Sequence, residues 1–76
     1  MITVKFFGLL RLDHGVRTLQ LEAETMAQVF SHLESLGIPR RELKGCVVFL
    51  NGSPANKRSV FKDGDQVIFM SPVAGG

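Results

Sequence analysis

The sequence predicts an α+β domain in which one main helix packs across one face of a mixed sheet of four or five strands. Three observations support this fold class. Apolar residues alternate with a period of two near both ends of the chain, a middle segment has helical spacing, and a predicted hairpin precedes that segment. A length of 76 residues allows a single domain with one hydrophobic core.

The first two strands are predicted to form a hairpin with a long loop. Residues 2–7 alternate between apolar and mixed positions, and residues 17–22 alternate again. Residues 8–15 form the connector between them. The residues expected to face inward are Ile2, Val4, Phe6, Leu19 and Leu21.

A helix is predicted from about Met26 to Leu36. Thr25 can cap its first turn, and Gln28 follows three residues later as the second half of a capping box. Gly37 suits the left-handed position after a helix, and Pro39 prevents the helix from continuing. The predicted buried face consists of Met26, Val29, Phe30, Leu33 and Leu36.

The second half of the chain contains two further strands and one weaker strand. Residues 47–50 form a fully apolar run that ends at the turn pair Asn51-Gly52, which predicts a strand buried on both faces. Residues 53–62 are mostly polar and irregular, with at most a weak strand. Asp63-Gly64-Asp65 signals a turn rather than a catalytic carboxylate pair, and residues 67–70 form the final strand.

The simplest arrangement of these elements is a β-grasp fold, with the first and last strands parallel and central. The face of the sheet away from the helix should be polar, but Phe7, Ile68 and Met70 fall on it. Uncovered apolar patches of this kind usually mark a site for a partner protein. The alternative is that residues 8–16 or residues 53–62 fold over them.

Composition argues against several functional classes. No apolar run approaches the roughly 20 residues of a membrane span, and the first residues lack the layout of a signal peptide. A single cysteine, Cys46, cannot form an internal disulfide, so we expect a cytoplasmic protein with a structural cysteine. The net charge is only +2, and scattered basic residues without Trp or Tyr do not favour nucleic-acid binding. His14 and His32 lack metal-ligand spacing, so we predict no metal and no bound cofactor.

The most informative segment is the end of the chain, Pro72-Val73-Ala74-Gly75-Gly76. Glycine has no Cβ, so a tunnel in another protein would need to admit only backbone. Pro72 lacks an N–H and biases Ser71 toward extended conformations. We therefore expect one domain over residues 1–76, with a flexible tail over 71–76. Two terminal glycines alone are a weak signal, because frayed ends and cloning scars also produce them.

Four segments spread over the chain carry a family resemblance. They are Val4-Lys5-Phe6-Phe7-Gly8-x-Leu10-Arg11, Leu50-Asn51-Gly52, Lys62-Asp63-Gly64-Asp65 and Pro72-Val73-Ala74-Gly75-Gly76. In this order and spacing they resemble the MoaD/ThiS family of ubiquitin-like sulfur carriers, and most closely the small subunit of molybdopterin synthase, MoaD. Two positions depart from that pattern: Ser71 replaces a common first proline, and Asp13-His14 replaces a more acidic stretch.

The resemblance implies a chemistry for the tail. An ATP-dependent activating enzyme similar to MoeB would join the Gly76 carboxylate to AMP, and a sulfur donor would displace AMP to leave a thiocarboxylate. Gly75 would provide clearance beside the reacting carbon. The chain itself would be a sulfur-donating co-substrate and a non-catalytic subunit.

The resemblance also implies partners. A large subunit similar to MoaE would supply the catalytic pocket, in a heterotetramer of two carriers and two large subunits that forms the dithiolene of molybdopterin from precursor Z. Phe7 and Met70 match docking positions of the family. The full set of residues expected to contact partners is Phe7, Ile68, Met70, Pro72, Val73 and Ala74.

Three other functions remain compatible with the sequence. The chain could carry sulfur for another pathway, such as thiamine thiazole, cysteine or a tungsten cofactor. It could be a ubiquitin-like modifier joined to lysines through Gly76. It could also be a plain β-grasp binding module whose glycines are incidental.

Overall fold

The computed structural model describes residues 1–7 and 18–71, which form a five-stranded mixed sheet with two helices. The strands are β1 (Ile2–Phe7), β2 (Thr18–Leu21), β3 (Val47–Leu50), β4 (Ser53–Pro54) and β5 (Gln66–Met70). The helices are α1 (Met26–Ser35) and α2 (Arg40–Lys44). Neither helix in this described part is long and apolar enough to cross a membrane.

The strand order is β2-β1-β5-β3-β4. Strands β1 and β5 are parallel neighbours, whereas β2 is antiparallel to β1 and β3 is antiparallel to β5. The predicted β-grasp arrangement with parallel first and last strands is therefore confirmed. Strand β5 lies at the centre of the sheet, so the residues that follow it leave from the middle strand.

Helix α1 begins with the predicted capping box. The Thr25 hydroxyl accepts a hydrogen bond from the Gln28 N–H at 3.2 Å, and the Gln28 side-chain oxygen accepts one from the Thr25 N–H at 3.2 Å. These two bonds satisfy N–H groups that a helix start leaves without partners. The same Gln28 oxygen also accepts from the Glu24 N–H at 2.6 Å.

The end of α1 corrects one prediction. The helix ends at Ser35, and Leu36 is 54% exposed rather than buried. The reason is a Schellman motif at Gly37, whose φ is +98°. The Gly37 N–H donates to the Glu34 carbonyl at 2.9 Å, and the Ile38 N–H donates to the Leu33 carbonyl at 3.2 Å. This reversal places Ile38 in the core in place of Leu36.

The core lies between the helices and one face of the sheet. Its buried members are Ile2, Val4, Phe6, Leu21, Met26, Val29, Leu33, Ile38, Leu43, Phe61, Val67 and Phe69. At its centre the Phe6 and Phe69 rings stack with centroids 5.6 Å apart, and the Phe30 ring lies 6.1 Å from Phe69. Val67 and Phe69 therefore face the helices, which leaves the alternate residues of β5 on the opposite face.

The predicted double burial of β3 is wrong. Val47 is 54% exposed, and the other three residues of the strand are only partly buried. Val48 and Leu50 pack against the core, whereas Val47 and Phe49 alternate onto the other face. Among the described residues, no second layer of structure packs on this face, so the all-apolar strand contributes to an exposed apolar surface.

The sequence did not predict the short helix α2, whereas the weak strand expected within residues 53–62 is present as β4 (Ser53–Pro54). Pro39 precedes the short helix α2, which contributes the buried Leu43 to the core. In the 53–62 segment only Ser53 and Pro54 form a strand, while Val60 makes an isolated bridge to Thr25. Both features are too short to produce a periodic pattern.

Candidate functional site

Strand register brings three apolar side chains into one row on the face away from the helices. Phe7 of β1 pairs with Met70 of β5, and Met70 pairs with Val47 of β3. Residues paired across strands project to the same face. These side chains are 47%, 44% and 54% exposed respectively. The row is thus a continuous apolar strip across the end of three strands.

A second row lies directly beside the first. Ile68 pairs with Lys5 on one side and with Phe49 on the other, and all three are partly buried. Together the two rows define an outer patch, which comprises Phe7, Val47, Phe49, Ile68 and Met70. Lys5, which pairs with Ile68, adds a cation to its flank.

The outer patch is confined to one end of the sheet. Towards the start of β5, the same face carries Gln66, with Thr3 and Gln20 in the neighbouring strands. These side chains are polar. The face therefore changes from polar to apolar along β5, in the direction in which the chain runs.

The predicted site residues fall into two groups. Phe7 and Met70 lie exposed on the predicted face and Ile68 lies partly buried there, while their role in docking stays a prediction. The other predicted site residues, Pro72, Val73, Ala74, Gly75 and Gly76, lie outside the described residues, as does the connector over 8–17.

The sequence reasoning missed Val47 and Phe49, because a wholly apolar strand was interpreted as doubly buried. Alternation within β3 groups Val47 with Phe49 on one face and Val48 with Leu50 on the other, but it does not say which face is covered. The pairing of β3 with β5 decides this, because Val47 lies beside Met70 and Phe49 beside Ile68.

The ladder between β1 and β5 continues to the last described residue. The Ser71 N–H donates a hydrogen bond to the Phe7 carbonyl at 3.0 Å. The next residue, Pro72, has no N–H with which to continue such a ladder. The point from which the tail departs is therefore fixed next to Phe7 and Met70.

The opposite end of β5 is a network of hydrogen-bonded turns. Asn51 donates from its amide to Asp65 at 3.0 Å and accepts from the Gln66 N–H at 2.9 Å. Asp65 also accepts from the Lys62 N–H at 2.8 Å. This backbone bond, followed by the bond from Asn51, lowers the pKa of the Asp65 carboxyl. Gly64 has a φ of +88°, so the predicted turn at this position is confirmed.

Other chemically reactive side chains lie away from the outer patch. Cys46 is half-buried, with its Sγ 3.2 Å from the Glu42 carbonyl oxygen, and burial raises the pKa of its thiol. A raised pKa makes the thiolate scarce at neutral pH. His32 is exposed, with its Nε2 3.0 Å from the Glu22 carbonyl oxygen. Within residues 1–7 and 18–71, no three His, Cys, Asp or Glu side chains cluster as a metal site requires.

The fold and its surface define a class of protein. The chain is a β-grasp domain of the ubiquitin-like type, with an exposed apolar surface at the end of its central strand. A family model, that of the ThiS family, matches residues 4–76. The chain therefore belongs to the ThiS family, whose members are ubiquitin-like sulfur carriers and act as small non-catalytic proteins.

Several solved structures have a similar fold. Small archaeal modifier protein 1 from Haloferax volcanii is 23% identical, with a TM-score of 0.79 over 99% of this chain and 98% of that chain. The complex of subunits 1 and 2 of molybdopterin-converting factor from Helicobacter pylori contains a chain that is 25% identical, with a TM-score of 0.76 over 99% and 97%.

The complex of BexX and CysO from Amycolatopsis orientalis contains a chain that is 24% identical, with a TM-score of 0.79 over 100% of both chains. Two of these similar structures are thus complexes with a second protein. A comparison with curated proteins gave no match.

Proposed function

We propose that this chain is the small subunit of a molybdopterin synthase and carries sulfur as a thiocarboxylate on Gly76. The observation that carries the proposal is the outer patch, which lies directly beside the point where the tail leaves β5. Membership of the ThiS family and similarity to a molybdopterin-converting factor complex support it.

The chemistry follows from the tail. A carboxylate is a poor electrophile, so an activating enzyme would first let a Gly76 oxygen attack the α-phosphorus of ATP, with pyrophosphate leaving. The product is a mixed anhydride with AMP. Sulfur at the oxidation level of hydrosulfide would then attack the acyl carbon with AMP leaving, which gives the thiocarboxylate on Gly76. The absence of a Cβ at Gly75 and Gly76 gives the attacking atom free access.

The outer patch supplies the docking that this chemistry requires. Exposed apolar side chains at the root of the tail would be buried against an activating enzyme or a large subunit, which favours binding by the loss of water from apolar surface. Five residues beyond Ser71 span at most about 18 Å. A partner docked on Met70 would therefore need its reactive centre within that distance of the patch.

A second candidate function uses the same tail. The similarity to small archaeal modifier protein 1 favours a ubiquitin-like modifier. In that function a lysine amine of another protein, and not a sulfur donor, would attack the activated Gly76 carbonyl and form an isopeptide bond as AMP leaves. Both functions begin with the same adenylate, so activation alone does not separate them.

The first experiment is intact mass spectrometry of the chain after incubation with a MoeB-like activating enzyme, ATP and a sulfur source. The expected result is a mass gain that equals the replacement of one oxygen by sulfur, and its loss when Gly76 is deleted. No gain with an enzyme of proven activity on another carrier would contradict the carrier function.

The second experiment tests the pathway. The thiocarboxylated chain is mixed with a MoaE-like large subunit and precursor Z, and dithiolene formation is followed. Product formation supports the molybdopterin assignment. Isopeptide-linked conjugates that persist under reducing, denaturing conditions, without any dithiolene, would instead support the modifier function.

A further inference from the structure

The helix side of the molecule contains a groove that the proposed function does not use. It has a volume of about 460 Å³ and opens between α1, α2 and the β3–β4 edge of the sheet. Its apolar lining includes Met26, Phe30, Leu43, Val48, Pro54 and Ala55. Only Val47 belongs both to this groove and to the outer patch, because it lies at the edge between the two faces.

The floor of the groove is formed by the core itself. Met26 and Leu43 are 5% and 1% exposed, and the Phe30 ring packs against Phe69. These side chains are held by the fold and do not need to be ordered when a ligand binds. A preformed floor lowers the entropic cost of binding.

One wall of the groove is a hydrogen-bonded turn after β4. The Asn56 N–H donates to the Ser59 hydroxyl at 2.9 Å, and the Arg58 N–H donates to the Asn56 side-chain oxygen at 2.8 Å. The Ser59 N–H donates back to the Asn56 carbonyl at 3.0 Å. These bonds fix the backbone that presents Ala55 and Lys57 to the groove.

Among the described residues, the charged side chains that line the groove are all positive. They are Arg40, Lys44 and Lys57. Arg40 is already engaged, since it bonds Glu34 at 2.9 and 3.2 Å and its guanidinium lies 5.5 Å from the centre of the Phe30 ring. Lys44 and Lys57 make no ion pair within residues 1–7 and 18–71. Lys44 lies in α2, and Lys57 lies in the turn after β4.

We propose that this groove binds an acidic, apolar peptide segment of a partner protein. Apolar side chains of the peptide would cover Phe30, Val48 and Ala55, and its carboxylates would pair with Lys44 and Lys57. An uncharged apolar ligand would leave both ammonium groups without a counter-charge. The net charge of +2 makes a second copy of this chain a poor electrostatic match.

The groove and the outer patch face opposite sides of the sheet. A peptide in the groove therefore leaves Phe7 and Met70 accessible, and the carrier could be held by one partner while it docks with another. This proposal does not depend on the sulfur chemistry of the tail.

The test is a binding titration with short synthetic peptides, in which a run of Val, Ile and Leu is flanked by glutamates on either or both sides. Matched peptides carry glutamine in place of glutamate. We expect NMR shift changes at the amides of Ala27, Lys44 and Ala55, weaker binding of the glutamine peptides, and weaker binding as salt rises. Equal binding of the glutamine peptides, or no binding by any peptide, would overturn the proposal.

Charge-reversal variants localise the site. Lys44→Glu and Lys57→Glu should each weaken peptide binding by about five- to tenfold, because attraction becomes repulsion. Lys62→Glu changes the net charge equally but lies outside the groove, so it should change affinity by less than about twofold. Equal effects of all three variants would overturn the assignment.

A variant in α1 tests the side of the groove that this helix forms. Ala27→Glu adds a carboxylate at the groove in the first turn of α1, where an acidic residue does not oppose the helix dipole. Ser31→Glu adds one on the same helix, outside the groove. Weaker peptide binding with Ala27→Glu alone supports the proposal, whereas shift changes centred on Phe7 and Ile68 would assign the peptide to the outer patch and overturn it.

Discussion

The two ends of β5 differ in how their side chains are used. At its start, the side chains of Asn51 and Asp65 are joined to each other and to backbone groups by hydrogen bonds. At its end, Met70 lies between Phe7 and Val47, and all three are exposed apolar side chains. The hydrogen bonds at the start of the strand stabilise the fold. The exposed apolar side chains at its end do not contribute to the core, and such surfaces usually bind a partner.

The largest expected effect is a difference in stability between a buried residue and an exposed residue at the end of β5. Phe69 is fully buried and stacked on Phe6, so Phe69→Ala should lower the free energy of unfolding by about 3–5 kcal/mol. Its neighbour Met70 faces outward, and Met70→Ala should change the free energy of unfolding by less than about 0.5 kcal/mol. Urea denaturation of both variants measures the contrast, and similar losses would show that Met70 is part of the core.

The next effect concerns partner docking. Met70→Glu should weaken binding to a MoaE-like large subunit by about ten- to a hundredfold, because a carboxylate would lose its water at the interface. Gln66→Glu adds a carboxylate to the same face of the same strand, at the polar end, and should leave affinity nearly unchanged. Calorimetric titration of both variants gives the comparison. Equal weakening would move the docking surface away from the outer patch.

A smaller effect tests the turn that joins β3 to β4. Gly52 has a φ of +89°, which a side chain rarely adopts, so Gly52→Ala should lower the free energy of unfolding by about 1 kcal/mol. Gly45 has a φ of −78°, and an added Cβ would meet backbone oxygens at no less than 3.5 Å. Gly45→Ala should therefore be neutral or slightly stabilising in the same denaturation experiment.

The smallest effect is a pH dependence at the start of β5. Because hydrogen bonds from Lys62 and Asn51 lower the pKa of Asp65, its carboxylate stabilises the fold above the ordinary pKa of the group. That stabilisation is lost as the pH falls through the lowered pKa of the folded state. Asp65→Asn should thus lower the free energy of unfolding at neutral pH, because the NH₂ group of the new amide would face one of the two donors that Asp65 accepts from, the Asn51 amide or the Lys62 N–H. The difference in free energy between the two proteins should shrink in acid.

The control for this pH dependence is Glu24→Gln, which removes another exposed carboxylate. Denaturation curves of the three proteins at neutral and acidic pH measure the effect. If the free energies of unfolding of wild type and Asp65→Asn differ by the same amount at both pH values, the charge of the Asp65 carboxylate does not contribute to stability.

Much of the fold was predictable because its signals are local. The capping box at Thr25 and Gln28, the reversal at Gly37 and the turn at Gly64 each follow from a residue type with a specific backbone preference. The pairing of β1 with β5 followed from topology, since a hairpin followed by a crossover helix is most simply arranged with the first and last strands parallel and central.

The remaining features depend on tertiary contacts. Whether Val47 is buried or exposed depends on what covers the sheet, and a run of four apolar residues does not reveal that. Leu36 fits the helical period but lies beyond the last turn, where the chain direction has already changed. The groove is formed by α1, α2 and the β4 turn together, and no single segment of sequence indicates it.

The central place of β5 has a consequence for the order of synthesis. On the ribosome, β1 is made before β5, which follows the other described strands in the sequence. The two nevertheless pair side by side, so the sheet forms through contacts far apart in sequence. Until residues 66–70 are available, the hairpin of β1 and β2 and that of β3 and β4 have no strand between them. The row of Phe7, Met70 and Val47 does not exist before then. A partner that recognises this row therefore recognises only chains whose folding is finished.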